Sequence, residues 1–323
     1  MNTGSIVRQL LAIRRHKMNV GYIGLGAMGG ALARQIIGKF PLKVLDLNPA
    51  VVADFEAKGA VAVATAADMA RQCDVVFLCL PRSTDVGHVI FGPGGLVEGL
   101  SPGKILIDQT SGVPEQTRSF AHRLAKLDVV LFDAPVSGSM AAAEAGTVSI
   151  ITSGPQTAFD RCRPVLEAIS RHVYRCGDRV GNGQTMKSVN NLMNTGCRFS
   201  TLEIVALGRK MGLTLEVMTQ AINQTTARNF TSTGMLHAIA ERRQATNFGL
   251  ALQLKDTNQA LALGVETSAP MPITTVVRGL LQIGVNTLGP NARLEQMIGL
   301  IESQADVRFV ASAPAAQAPT ERV

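Results

Sequence analysis

A lysine and two asparagines recur at helical spacing in the second half of this 323-residue chain. Lys187, Asn191 and Asn194 stand at positions i, i+4 and i+7, so a helix would place them on one face. A lysine in a desolvated cleft has a lowered pKa, which equips it for proton transfer near neutral pH. An amide one turn away can hold a substrate or position the lysine. The alternative is a solvated polar stripe, which Arg198 at i+11 would favour.

A glycine-rich turn lies between a short apolar run and an alanine-rich helical segment near residue 24. Its G-x-G-x-x-G pattern permits a tight turn, a close approach of a pyrophosphate and close packing of helix on strand. The N-terminus of the helix offers N–H groups to phosphates. About twenty residues on, an acid can accept from the adenosine ribose hydroxyls and would repel a 2′-phosphate. The sequence therefore predicts a dinucleotide site that prefers NAD to NADP, formed by Gly24, Leu25, Gly26, Ala27, Met28, Gly29 and Asp46.

Polar residues follow three predicted strands of the first half, at residues 79–83, 108–111 and 133–139. Ligands of doubly wound sheets bind outside the carboxyl ends of the strands. The segment Ser137-Gly138-Ser139 can present backbone N–H groups and hydroxyls to a carboxylate. An ordinary turn before a helix is the alternative interpretation of this segment.

The positions of these residues depend on two different sequence patterns. Short apolar runs alternate with helical segments in the first half, which is typical of βαβ units around a parallel sheet. Runs at 148–151 and 172–174 are predicted to extend that sheet, with mixed direction left open. From about residue 183 helical periodicity dominates. We predict an α/β fold: a Rossmann-type doubly wound sheet over residues 18–180, then an all-α domain over 181–305 entered through a long helix. An extension covers residues 1–17, and a disordered Ala/Pro-rich tail covers 306–323.

Composition excludes several classes of protein. Apolar residues make up 46% of the chain, which excludes a disordered protein, and the apolar run at 75–80 is far too short to span a bilayer. The net charge of +7 includes four cations before residue 18 and forms no basic stripe, so neither nucleic-acid nor membrane binding is predicted. Five scattered cysteines without C-x-x-C and five histidines without paired spacing predict no disulfide, no metal site and a reducing compartment.

The first 17 residues are basic and contain no acid. They are either a mitochondrial transit peptide or a non-native or upstream start, since Met18 directly precedes the first predicted strand. We expect a cytoplasmic protein, with the mitochondrial matrix as the alternative if these residues are a transit peptide.

Four motifs stand in order between residue 18 and about residue 300. They are the glycine-rich turn, residues 133–138 followed by Gly146-Thr147, Gly181-x-Gly183 with Lys187 and Asn191, and Phe248 with Lys255-Asp256. Together they resemble the β-hydroxyacid dehydrogenase family, typified by 3-hydroxyisobutyrate dehydrogenase and 2-hydroxy-3-oxopropionate (tartronate semialdehyde) reductase. Ser139 stands where the family usually has a second glycine, and positions 109 and 112 also depart from its pattern. The pocket for the substrate carboxylate is therefore expected to differ.

The resemblance implies an NAD-dependent oxidation of a small β-hydroxy acid to its semialdehyde, or the reverse reduction. It also implies a homodimer or homotetramer assembled through the helical domain. The alternatives are another short semialdehyde reductase, such as a tartronate semialdehyde reductase, and a non-catalytic dinucleotide-binding module, against which the retained lysine argues. The implied roles are proton transfer for Lys187, substrate binding for Asn191, Ser137, Gly138 and Ser139, and cofactor contacts for Leu80, Pro81, Ser111 and Lys255.

Overall fold

The structure is a computed structural model that describes residues 18–310. The described residues divide into two compact units, with the division between Lys187 and Ser188. The predicted N-terminal extension, and the predicted tail from residue 311 onward, lie outside the described residues. None of the helices within 18–310 has the length and apolar character needed to cross a lipid bilayer.

Strands and helices alternate along the first unit, as the apolar pattern predicts. The strands are β1 Val20–Ile23, β2 Leu42–Leu45, β3 Val61–Ala62, β4 Val75–Leu78, β5 Ile105–Asp108, β6 Val130–Asp133, β7 Val136–Ser137, β8 Ser149–Thr152 and β9 His172–Arg175. The helices are α1 Ala27–Arg34, α2 Pro49–Ala57, α3 Ala66–Gln72, α4 Ser83–Phe91, α5 Pro114–Ala125, α6 Met140–Glu144 and α7 Gln156–Ile169.

Six of these strands form a parallel sheet in the order β3-β2-β1-β4-β5-β6. Every residue of β1, β4 and β5 is buried, as expected of central parallel strands that are covered on both faces. Tyr22 and Phe77 stack across β1 and β4, with ring centroids 5.5 Å apart. This strand order is that of the dinucleotide-binding doubly wound fold, so the predicted Rossmann-type fold is confirmed.

The last three strands form a separate sheet in the order β7-β8-β9. The prediction that residues 148–151 and 172–174 extend the main sheet is therefore wrong. Strand β8 instead pairs parallel with β9 and antiparallel with the two-residue strand β7. Strand β7 was too short to be detected from the sequence. A single bridge between Asp133 and Ser153 connects β6 to the segment after β8.

The second unit consists of helices within its described residues, entered through a helix of 29 residues. Phe199 packs with Leu250 and Leu254, which joins the long helix to the helices of the C-terminal half. Phe309 is 1% exposed and belongs to another core cluster of this unit, so the disordered tail predicted from residue 306 was placed too early. The helices are α8 Asn182–Lys210, α9 Leu215–Asn223, α10 Leu236–Ala240, α11 Leu250–Glu266, α12 Pro272–Leu288 and α13 Met297–Ala305.

Candidate active site

The glycine-rich turn after β1 contains two glycines that the packing of the protein requires and one that it does not. Gly24 has a φ of +93°, and a Cβ there would lie 2.3 Å from the carbonyl oxygen of Cys79. A Cβ on Gly29 would lie 2.1 Å from the carbonyl oxygen of Gly24. A Cβ on Gly26 would meet nothing within 4 Å. The open space at Gly26 fits the close approach of a cofactor phosphate.

Helix α1 begins directly at this space. Gly26 is its N-cap residue and supplies no side-chain acceptor to the first turn, so the N–H groups there suit an anion. Asp46 accepts hydrogen bonds from the backbone N–H groups of Leu25, at 2.5 Å, and Asn48, at 2.8 Å. The structure therefore brings Asp46 to the glycine-rich turn, as the sequence predicts, and its carboxylate is held by the backbone on both sides.

Two further predicted cofactor positions lie after β4 and β5. The backbone N–H of Leu80 donates to Oγ1 of Thr110 over 3.1 Å, which ties the ends of these neighbouring strands together. Ser111 is half-buried in the segment after β5. The cofactor contacts of Leu80, Pro81, Ser111 and Lys255 remain predictions.

A buried carboxylate anchors the start of helix α8. Asp133, at the end of β6, is fully buried. Its Oδ1 accepts from the N–H of Gly181 at 2.7 Å and from the hydroxyl of Ser153 at 2.6 Å, and its Oδ2 accepts from the N–H of Gln184 at 2.8 Å. Burial raises the pKa of Asp133, while these three hydrogen bonds act in the opposite direction. A carboxylate at a helix N-terminus also interacts favourably with the helix dipole.

A second buried carboxylate, that of Asp108, holds the side chain of Gln184 in the first turn of helix α8. Asp108, beside Asp133 in the register of β5 and β6, accepts from Nε2 of Gln184 at 3.0 Å and from the N–H of Thr110 at 2.9 Å. Oε1 of Gln184 accepts from the hydroxyl of Thr117 at 2.9 Å. Burial raises the pKa of Asp108 to about 7. Gln184 is thus fixed at both ends of its amide.

Gln184 precedes Lys187 by three residues, so this network fixes the turn of helix that carries the predicted proton-transfer group. Sequence reasoning missed Gln184. The available signal was an aspartate at the end of each of two neighbouring predicted strands, because buried carboxylates require donors from another element.

The predicted polar residues do lie on one helix, and Asn191 is oriented by a second helix. Lys187 is half-buried on α8. One turn later, Nδ2 of Asn191 donates to Oδ2 of Asp256 on α11 over 3.2 Å, and Oδ1 of Asp256 lies 3.1 Å from Nζ of Lys255. Asp256 belongs to the fourth sequence motif, but it was not predicted as a site residue. Its carboxylate fixes the direction in which the Asn191 amide points.

The serine-rich segment after β6 contains a helix cap. Oγ of Ser139 accepts from the N–H of Ala142 at 3.1 Å and so caps α6. Gly138, with a φ of +157°, precedes it, and a Cβ at Gly138 would lie 2.9 Å from Cγ1 of Val148. Ser137 is half-buried in β7. The cap gives Ser139 a structural task, and binding of a substrate carboxylate by this segment remains a prediction.

The described residues offer no group of three histidine, cysteine, aspartate or glutamate side chains that could hold a metal ion. All five cysteines are free thiols.

Two family models match the two halves of the chain. Residues 19–177 match the family model described as the NAD binding domain of 6-phosphogluconate dehydrogenase, and residues 181–301 match the model described as NAD-binding of NADP-dependent 3-hydroxyisobutyrate dehydrogenase. The chain is 34% identical to 2-(hydroxymethyl)glutarate dehydrogenase of Eubacterium barkeri over 83% of this chain and 89% of the relative. It is 33% identical to 3-hydroxyisobutyrate dehydrogenase of Pseudomonas aeruginosa over 82% of this chain and 91% of the relative.

Among solved structures, the fold is similar to 3-hydroxyisobutyrate dehydrogenase of Mycobacterium tuberculosis, with a TM-score of 0.80 at 21% identity over 88% of this chain and 99% of that one. The homologous dehydrogenases act on different acids, so they leave the substrate undetermined, and they do not distinguish NAD from NADP. The two family models and the relatives show that the chain belongs to the β-hydroxyacid dehydrogenase family and is a hydroxyacid dehydrogenase with an NAD-type cofactor.

Proposed function

We propose that the protein oxidises a small β-hydroxy acid to its semialdehyde with NAD, or catalyses the reverse reduction. The observation that carries this proposal is the support given to Lys187 and Asn191. The first turn of their helix is held by buried Asp133 through two backbone N–H groups, and Asp256 orients the Asn191 amide. Such fixed geometry is what proton transfer requires.

In the proposed reaction, Nζ of Lys187 accepts the proton of the substrate hydroxyl. At the same time, the C–H bond breaks on the carbon that bears this hydroxyl. The dinucleotide, when bound, supplies the hydride acceptor. Asn191 orients the substrate through its amide. Ser137 and Gly138 hold the carboxylate, and Ser139 adds a hydroxyl beside them. In the reductive direction, the ammonium of Lys187 returns the proton to the oxygen.

We propose NAD as the preferred cofactor because of Asp46. Its carboxylate lies beside the glycine-rich turn, held by the N–H groups of Leu25 and Asn48. A fixed negative charge there accepts from a free 2′-hydroxyl and repels a 2′-phosphate. A preference for NADP of about tenfold or more, equivalent to about 1.4 kcal/mol, would contradict this assignment.

We also propose a homodimer or homotetramer formed through the helical unit, in the cytoplasm. Supporting the assembly, several large apolar side chains of α8 and α12 are exposed. Exposed apolar surface of this kind is typical of protein interfaces. They include Ile204, Leu207, Val276 and Ile283.

The test is a spectrophotometric assay of NADH with 3-hydroxyisobutyrate, 2-(hydroxymethyl)glutarate, L-threonate and tartronate semialdehyde. Lys187→Ala should lower kcat by roughly 10² to 10⁴, the range for a general acid–base group, while the dinucleotide still binds. Lys210→Ala removes an exposed lysine from the same helix and serves as the matched control. Near-normal kcat in Lys187→Ala would remove Lys187 from the mechanism. Dinucleotide binding without turnover of any compound would favour the non-catalytic module.

A further inference from the structure

An arginine in the middle of helix α8 is buried without a hydrogen-bond partner. Arg198 is 8% exposed, and its Nε and Nη1 find no acceptor among residues 18–310. Burial lowers the pKa of Arg198 to about 10, so the side chain is still a cation at neutral pH. The solvated stripe that Arg198 favoured in the sequence is therefore excluded at this position.

A buried cation without an acceptor needs a physical explanation. Buried polar groups are almost always hydrogen-bonded in native proteins, and a buried charge left unpaired is much more costly than a neutral group. The two nitrogen atoms of Arg198 are donors that cannot act as acceptors. What is missing beside them is an acceptor, and a negatively charged group fits best.

Helix α11 brings a second unpartnered donor to the same helix pair. Nε2 of Gln253 is buried without a partner, and the residue is 5% exposed. Helices α8 and α11 contact each other on both sides of this level, since Asn191 bonds Asp256 and Phe199 packs with residues 250 and 254. Along each helix, Arg198 and Gln253 lie between those two contacts.

Asn194 adds a third unpartnered group one turn before Arg198. Its Oδ1 is buried and lacks a hydrogen-bond partner. Because a half-turn of the side chain exchanges the amide oxygen and nitrogen, Asn194 can equally present Nδ2 to an anion. Arg198, Gln253 and Asn194 all belong to the second unit, so this cluster is complete within one compact body.

We propose that Arg198, Gln253 and Asn194 bind a second carboxylate at the far end of the substrate, which is a β-hydroxy acid with two carboxylates. The inference rests on the proposed function for the reacting end of that substrate. A guanidinium paired with a carboxylate, supported by an amide donor, makes charge-assisted hydrogen bonds. The partner that the cluster lacks is then supplied on binding.

The spacing along helix α8 within the second unit limits the kind of substrate. Arg198 shares its helical face with Asn191 and lies about 10 Å from it along the axis, at 1.5 Å per residue. Because helical side chains lean toward the N-terminus of their helix, the Arg198 side chain extends toward Asn191 and shortens the distance that the substrate must cover. A substrate held at Asn191 therefore needs a chain beyond its reacting end to bring a second carboxylate to Arg198, and a four-carbon monocarboxylate has none.

A binding experiment tests the site without turnover. Glutarate has two carboxylates and no hydroxyl, and butyrate has one carboxylate on a chain of similar length. With NAD bound, glutarate should raise the melting temperature more than butyrate does, because a ligand that binds only the folded state stabilises it. Arg198→Met should abolish that difference, and Arg198→Lys should retain part of it. Equal effects of the two acids on the wild type would overturn the proposal.

A kinetic experiment tests the specificity. The wild type should prefer 2-(hydroxymethyl)glutarate to 3-hydroxyisobutyrate in kcat/KM by about tenfold or more, and Arg198→Met should remove that preference, because a site built to pair a charge rejects a compound that lacks it. Arg228→Met removes an exposed arginine from the same unit and should leave the ratio unchanged. Gln253→Leu should lower the ratio by less than Arg198→Met.

The outcomes separate this inference from the proposed function. Equal kcat/KM for both compounds would overturn the second carboxylate site and leave the dehydrogenase function standing. Glutarate binding that depends on Arg198, without turnover of either compound, would support the site and contradict the proposed function. A change of oligomeric state in Arg198→Met, with no effect of glutarate on the wild type, would identify an acidic group of a second copy as the partner and overturn the proposal.

Discussion

Helix α8 contributes residues to two buried polar clusters that differ in one respect. At its start, Asp133 and Asp108 receive donors from Gln184 and from neighbouring backbone and hydroxyl groups. In its middle, Arg198 has buried nitrogen atoms without an acceptor, and so does Gln253 on the neighbouring helix α11. The first cluster is complete within the described protein, and the second is not.

The difference indicates what each cluster does. A fully paired network stabilises one arrangement of the elements that it joins, and here it fixes the turn that carries Lys187. An unpaired cluster of the same burial contributes nothing favourable until a ligand arrives, because its donors have lost water without gaining an acceptor. The first cluster is therefore expected to govern stability and the second to govern ligand binding.

Removing a carboxylate from the paired cluster should cause the largest loss of stability. Asp133→Asn replaces an acceptor oxygen with an NH₂ group that faces the donors of Gly181, Gln184 or Ser153. We expect the free energy of unfolding to fall by about 2–4 kcal/mol, since buried donors lose their acceptor. Urea unfolding measures this change. A loss below about 0.5 kcal/mol would show that the network does not hold the helix.

The second carboxylate of this cluster should make stability depend on pH. The folded-state pKa of Asp108, about 7, lies above the ordinary value of 3.8, so the folded protein binds a proton that the unfolded chain has released. This contribution to stability is complete below pH 4 and is lost as the pH rises through about 7. Between pH 5 and pH 6.5 the slope due to Asp108 should approach about 1.4 kcal/mol per pH unit.

Asp108→Asn provides the comparison for that slope. Its free energy of unfolding, measured by urea titration at several pH values, should decline less steeply than that of the wild type over the same window. Parallel curves for the two proteins would mean that Asp108 is ionised in the folded state at all of these pH values.

The sequence predicted the strands and helices that carry these clusters better than it predicted the side-chain contacts within them. The alternation of apolar runs predicted the parallel sheet, and helical spacing placed Lys187, Asn191 and Arg198 on one helix. Periodicity alone could not tell whether Arg198 faces solvent, because that depends on the packing of α11 against α8. The same limit applies to Gln184, whose partners lie 67 and 76 residues away along the chain.

The second sheet was mispredicted for a related reason. Strand β8 had the composition of a central strand, and its partner β7 is only two residues long. Pairing partners of a short strand are set by the local path of the chain, and the apolar pattern carries no information about that path.

Removing the unpaired cation should have the opposite effect on stability to removing Asp133. Arg198→Met keeps an unbranched side chain of similar length and deletes a buried charge that has no acceptor. Without ligand, the free energy of unfolding should rise by about 1 kcal/mol, because the substitution removes the desolvation cost of an unpaired buried charge. Urea unfolding in the absence of dicarboxylate measures this. A loss of about 2 kcal/mol or more would instead reveal a structural partner for Arg198.

Substitution of Ser139 should have the smallest effect on stability. Its Oγ already accepts one hydrogen bond within the protein, while its O–H can still donate to a ligand. Its Oγ caps α6 by accepting from Ala142. Ser139→Gly should cost only a few tenths of a kcal/mol and Ser139→Ala about 1 kcal/mol, because glycine is nearly as good an N-cap and alanine is a poor one. If Ser139 also contacts the substrate, both variants should change the relative kcat/KM among β-hydroxy acids to the same extent. If it acts only as a cap, the preference should stay constant and the two variants should differ in stability alone.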